Sequence, residues 1–136
     1  MTLNHFSDLL AMARQQPEPQ RLLLVFARAE LPVDADAAQR EAYARGEGGT
    51  LAPVLCVDKR PEDIASFEAL SAESAETGLA WDILFVAAMS GRAGVQPNQD
   101  EAVQPLNMMV EAVKNGRISQ FAAIDRSGVL IELTRG

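Results

Sequence analysis

The run Ile83 to Ala88, ILFVAA, has no polar alternation and ends in a small-residue turn, Ser90-Gly91-Arg92-Ala93-Gly94. A short apolar stretch of this kind suits a strand buried on both faces, as at the centre of a helix-covered sheet. Its length favours a strand over a buried helix. Asp82 to Gly94 is therefore the stretch around which the chain is expected to organise. With 136 residues the chain is long enough to bury a core without staples, and one domain over 1–136 is the most economical reading. At 48% hydrophobic and 23% charged residues it is too apolar for disorder.

The formal charge of −7 argues against non-specific nucleic-acid binding and against attraction to anionic lipid, because a field of that sign repels phosphates. Only a local basic patch would overcome it. Cys56 is the one cysteine, so no internal disulfide forms, which fits a reducing compartment. Within the apolar stretch Leu51 to Val57 it reads as a small buried hydrophobe rather than a reactive thiol. The N-terminal MTLNHFSDLLAMARQQ has no uninterrupted apolar core and does not resemble a secretory signal. No apolar run approaches the roughly 20 residues that span a bilayer. The expectation is a soluble cytoplasmic chain with no membrane or nucleic-acid partner.

Taken in order, Leu3 to Gln16 reads as a helix with Phe6, Leu9, Leu10 and Ala13 on one face, stopped by Pro17 and Pro19. Arg21 to Ala29 is the first strand, ended by Pro32. Asp34 or Asp36 caps a short helix that runs to about Arg45, before the flexible Gly46-Glu47-Gly48-Gly49. Leu51 to Asp58 is the second strand, and Pro53 within it marks an edge. Pro61 opens the next helix, with Glu62 and Asp63 at the positive end of its dipole and Ile64, Phe67 and Leu70 at helical spacing. After the central strand, a helix reaches Lys114 or Asn115 with an apolar stripe of Val103, Leu106, Val110 and Val113. Its regular part begins at or just before Pro105, and Gly116 is its C-terminal cap. Ile118 to Ile124 and Val129 to Leu133 flank Asp125-Arg126-Ser127-Gly128 as a closing hairpin. The fold class is α/β, a mixed sheet packed by helices in the order α-β-α-β-α-β-α-β-β. Strands separated by helices imply parallel neighbours, with antiparallel pairing in the closing hairpin.

If the first three strands are parallel, their C-terminal ends share one edge of the sheet, where open α/β sheets hold ligands. That edge gathers Arg28, then Lys59 and Arg60, then Ser90, Gly91 and Arg92. Guanidinium and ammonium groups there suit a carboxylate or phosphate, and the glycines permit close approach. The competing reading is solvated loop charge, with Glu30, Asp58, Glu62 and Asp63 neutralising the bases through surface pairs.

Catalytic signals are sparse. Gly91-Arg92-Ala93-Gly94 lacks the lysine and spacing of a P-loop, and no G-x-G-x-x-G occurs. His5 is the only histidine and reads as a surface or helix-start residue; with Cys56 it makes no zinc set. Ser90, between Met89 and Gly91, is not a nucleophile elbow. The pairs Glu62-Asp63 and Asp100-Glu101 are explained by helix dipoles, and Met108 and Met109 by core packing. No cofactor and no metal site is expected.

The segments PEPQRLLLVFA, LAPVLCVDK, FVAAMSGRAG and MVEAVKNGRI, spread over nearly the whole chain, resemble a family of small bacterial proteins without an established activity. Some members are described as a ribonucleotide reductase alpha subunit. The resemblance supplies no functional residues, and that description conflicts with the chemistry. Such a subunit uses a cysteine radical and a redox-active cysteine pair, whereas this chain has Cys56 alone and is too short for the catalytic barrel. The residues thus favour a non-catalytic binding or interaction domain, whose partner is another protein or a second copy. The alternative is an enzyme or sensor for a small anionic metabolite.

Overall fold

Successive side chains of a strand point to opposite faces, so an uninterrupted apolar run needs cover on both sides. β1 (Gln20–Glu30) has that cover: Leu22 to Ala27 are all buried. In this computed structural model, which describes residues 3–30, 36–44 and 50–132 (side chains at 42 and 43 excepted), the two faces of β1 feed two separate cores. Leu22, Leu24 and Phe26 join one apolar cluster, while Leu23, Val25 and Ala27 join another. β1 pairs along most of its length with β2 (Thr50–Lys59) on one side and β3 (Ile83–Ser90) on the other. With β4 (Ala122–Ile124) and β5 (Leu130–Ile131) they form a five-stranded sheet in the order β2-β1-β3-β4-β5.

Helices close both faces. Phe6 and Leu10 of α1 (Phe6–Arg14) and Phe67 and Leu70 of α3 (Phe67–Ala75) pack on the first face. Trp81 completes that core: its ring meets Phe26 and Phe67 edge-on, its Nε1–H donates to Ser74 Oγ at 2.9 Å, and the Arg126 guanidinium lies 4.4 Å above it. α4 (Gln99–Lys114) covers the second face through Ala102, Leu106, Met109 and Val113. α2 (Ala37–Ala44) lies between β1 and β2 in sequence, and its described side chains are exposed.

Local signals act as expected at most termini. His5 caps α1, its Nδ1 accepting the Ser7 backbone N–H at 3.0 Å while Asp8 accepts the His5 N–H. Asp36 and Gln39 exchange the same reciprocal bonds at the start of α2, and Asn98 and Glu101 at the start of α4. Gly116, at φ 73°, ends α4: the Arg117 N–H reaches the Ala112 carbonyl and the Gly116 N–H reaches that of Val113, a Schellman arrangement. The expectations placed on Pro32, Asp34, Arg45, Gly46 to Gly49 and Leu133 lie outside the described residues.

Strand direction is the principal correction. The α/β architecture, element order and closing hairpin stand, but β1 is antiparallel to both β2 and β3, and every pairing in the sheet is antiparallel. Two-sided burial dictates the apolar run, and helices supply that burial whatever direction the strands take. β2 and β3 flank β1 pointing the same way, so the segment carrying α3 crosses over β1 on the first face. Two helices also differ from expectation. Pro61 opens only a 3₁₀ turn, Pro61–Asp63, and α3 starts afresh behind Ser66, whose hydroxyl accepts the Ala69 N–H. In α4 the buried stripe turns by one residue, leaving Val103 and Met108 exposed while Ala102 and Met109 pack inward. Pro105 lies inside this helix, because the Asn98–Glu101 cap starts it well upstream.

The two edges of the sheet are unlike. At β5, the Leu130 N–H donates to the Asn4 carbonyl at 2.9 Å, and His5 bridges Val129, so the N-terminal segment covers the short strand. Gly128 lets them meet: the Phe6 N–H bonds its carbonyl, its φ is 86°, and a Cβ there would collide with His5 Nε2. Gly78, at φ 75°, has nothing near its would-be Cβ. In urea denaturation, Gly78→Ala should lose about 1 kcal/mol from the left-handed backbone alone, and Gly128→Ala about 2–3 kcal/mol from backbone and collision together. Equal losses would remove the His5 contact from the account.

Candidate functional site

β2 occupies the other edge, and it is ten residues long. A side chain directly opposite another across an antiparallel pair shares its face. Leu55, Val57 and Lys59 therefore stand with Phe26, Leu24 and Leu22 on the α3 side, and Cys56 and Asp58 stand with Val25 and Leu23 on the α4 side. The register slips between Phe26 and Ala27: Leu55 faces Phe26 while Pro53 faces Ala27, so Val54 is the extra residue of a bulge. Val54 and Leu55 both pack on the first core as a result. Pro53 thus sits where the ladder is already interrupted, on an edge strand as its chemistry requires.

Between this edge and α3 lies a groove of about 190 Å³. Phe26, Leu55, Val57 and Lys59 line it from the sheet, Cys56 from the strand edge, Leu70, Glu73 and Ser74 from α3, and Thr77 from the turn that follows it. The helical contributors recur at spacings of three and four, so they share one face of α3. The lining is mostly apolar, and its polar members are already engaged. Ser74 receives the Trp81 indole and donates to the Ser71 carbonyl at 2.6 Å, while Thr77 donates to the Ser74 carbonyl at 2.7 Å. Lys59 Nζ lies 3.0 Å from Glu73 Oε1. No buried side-chain polar atom among the described residues lacks a partner.

The charges that end β2 turn inward instead of guarding its open side. Asp58 Oδ2 accepts from Arg21 Nε at 2.6 Å, with only 12% and 13% of these side chains exposed, and Arg21 also donates to the Pro97 carbonyl. That pair ties β1, β2 and the approach to α4 together. Lys59 reaches across to α3. From Val54 to Lys59 no side-chain charge is committed to blocking a further strand.

The residues expected to gather at one edge divide between two. Because β1 runs against its neighbours, Arg28 lies at the β1 C-terminal end, beside Ala52, and its guanidinium bonds Glu30 Oε1 at 2.7 Å. Lys59, Arg60 and Ser90 lie at the opposite end, beside the start of β1. Arg60 grips Asp63 through two hydrogen bonds, at 2.8 and 2.9 Å; this bonding holds the Asp63 carboxyl below its ordinary range and raises the guanidinium. Ser90 Oγ accepts from Gln20, and Gly91 comes so close to Val95 and Pro19 that a Cβ would collide. Arg92 and Val95 exchange backbone bonds around Ala93 (φ 52°) and Gly94 (φ 78°), a type I′ turn latched by Glu18 to the Gly94 N–H. Arg92 is exposed there. The geometric basis for one convergent six-residue site is therefore removed.

Cys56 is exposed, not buried: at the sheet edge only one flank of the residue is packed. His5 is the helix-start residue anticipated, Met109 is core, and Met108 is surface. Among the described residues no group of three or more His, Cys, Asp or Glu is placed to hold a metal, and no helix is long and apolar enough to cross a membrane. Sequence reasoning missed Leu55, Val57, Leu70, Glu73 and Thr77 as a set. The available signals were Pro53, which marked the edge, and the 70-73-74 spacing on the next helix. No protein-family model, curated protein or solved structure matches this chain.

Two of the ion pairs at this end of the sheet, Arg21–Asp58 and Arg60–Asp63, should respond differently to substitution. Asp58→Asn leaves a mostly buried guanidinium without its counter-charge and should lower stability by about 1–3 kcal/mol in chemical denaturation. Asp63→Asn, on the exposed Arg60 pair, should change it by no more than the error of the measurement. The reverse order would show that Arg21–Asp58 does not fasten the edge.

Proposed function

We propose that this chain is a non-catalytic cytoplasmic binding domain that receives an extended protein segment along the outer edge of β2. The observation that carries this reading is the asymmetry of the sheet. Its short edge is covered by Asn4 and His5, whereas its long apolar edge, β2, pairs only with β1 among the described residues. In an antiparallel ladder, backbone groups point alternately toward the paired neighbour and away from it. The outward set on β2 is a template for one more strand. An added strand would draw affinity from main-chain hydrogen bonds and specificity from alternate side chains seated in pockets. The groove against α3 lies where one such set of side chains would fall, floored by Phe26, Leu55, Val57 and Leu70.

A displayed library of unbiased peptides, panned against the purified protein, tests this. Enriched sequences should alternate apolar residues at every second position. Their binding should weaken at least about tenfold in Cys56→Lys, which places an edge-guarding charge on β2, and in Thr77→Trp, which fills the groove. Both positions are exposed, so thermal unfolding of the variants should stay near that of the parent. Binders indifferent to both substitutions, or no enrichment at all, would refute strand addition.

A further inference from the structure

We infer that the segment received at β2 is a short linear one, about five residues long, which pairs only with the stretch between Pro53 and Pro61. This rests on the edge reading above and deepens it. The register of β1 on β3 is unbroken from Gln20 opposite Ser90 to Ala27 opposite Ile83, and one step beyond it the Gly91 N–H bonds the Pro19 carbonyl. Bonded and non-bonded pairs alternate along an antiparallel ladder. The odd-numbered residues of β1 therefore bond toward β3 and the even-numbered ones toward β2. The Asp82 N–H, which reaches the Ala27 carbonyl, obeys the same parity. Leu22, Leu24 and Phe26 thus bond Lys59, Val57 and Leu55, and the N–H and C=O groups of Cys56 and Asp58 point away from β1.

Two prolines bound this outward set. Beyond the bulge, Pro53 lies opposite Ala27, so it too occupies an outward position, and it has no N–H to offer. At the other end, Pro61 opens the 3₁₀ turn just past Lys59. The window left between them, Leu55 to Lys59, is about 17 Å long. An incoming residue opposite Leu55 or Val57 shares their face and projects into the groove. Lys59 and Arg60 are paired with Glu73 and Asp63, so backbone bonds and groove-facing side chains, rather than charge, decide what is accepted. A strip about 17 Å long and roughly 10 Å wide is far smaller than the ~800 Å² per partner of a stable interface between folded proteins. That size favours a flexible segment over a second copy of this chain.

The test uses alternating valine–threonine peptides of three, five, seven and nine residues, each on a fluorescein-labelled Gly-Ser tail and read by fluorescence anisotropy. Affinity should rise at least about tenfold from three residues to five, and change less than about threefold from five to nine. In the nine-residue peptide, N-methylating every threonine and N-methylating every valine should differ in effect by at least about tenfold, because only alternate residues donate to β2. Cys56→Pro removes an outward N–H, so this variant should fold and yet bind the nine-residue peptide at least about tenfold more weakly. Val57→Pro breaks a bond to β1 and should fail to fold or unfold at a far lower temperature. Affinity that climbs steadily to nine residues would overturn the short window while leaving strand addition standing. Equal damage from the two prolines, or a folded Cys56→Pro that binds as the parent does, would overturn the assignment of the outward groups. Equal effects of the two methylation patterns, or no binding by any peptide, would overturn both the window and strand addition. A doubled mass in sedimentation equilibrium, competed away by the nine-residue peptide, would overturn the inference in favour of a homodimer.

Discussion

Burial of β1 on both faces is the constraint on which the rest of the molecule depends. Six consecutive apolar side chains cannot be satisfied by one core, so the chain builds two, with α1 and α3 on one face and α4 on the other. Once β1 is enclosed, β3 shares the same division residue by residue, and β2 does so from Leu55 to Lys59, beyond its bulge at Val54. Leu84 and Val86 of β3 follow Phe26 and Leu24 into the first core, and Phe85 follows Val25 into the second. The Trp81–Ser74–Phe67 contacts then fix α3 against this layer, and the position of α3 creates the groove.

Much of this was legible in the sequence because it is local chemistry. The order of helices and strands, the inward face of α1, the glycine ending α4 and the closing hairpin each follow from side-chain periodicity or from a residue suited to one backbone conformation. Strand direction is not local. ILFVAA records that helices lie on both faces but not which way the neighbours run, and the parallel reading failed there. The same limit reaches the candidate site, because Arg28 lies beside Lys59 and Arg92 only if the strands share a direction, and they do not. The α4 stripe shows a smaller version of the same limit: 103-106-110-113 and 102-106-109-113 are both helical spacings, and only packing against β1 chooses between them.

The groove was less legible still, since it arises from elements that meet only after folding. Leu55 and Val57 read as ordinary strand residues, and Leu70 and Thr77 as parts of a short helix with little amphipathic contrast. Pro53 was the one local sign, and it correctly put β2 at an edge. The sequence also could not reveal that Asp58 and Lys59, which look like edge-guarding charges, turn inward to Arg21 and Glu73. A long edge whose charges are occupied elsewhere differs physically from one that is protected.

The central claim is that the outer side of β2 is open, and residue-resolved amide hydrogen exchange on the free protein tests it most directly. Exchange protection follows hydrogen bonding and local opening. If the edge is open, amides from Val54 to Lys59 should alternate, those donating to β1 exchanging slowly and those pointing outward exchanging fast. Uniform protection along that stretch would mean that the edge is already covered, and would contradict the account.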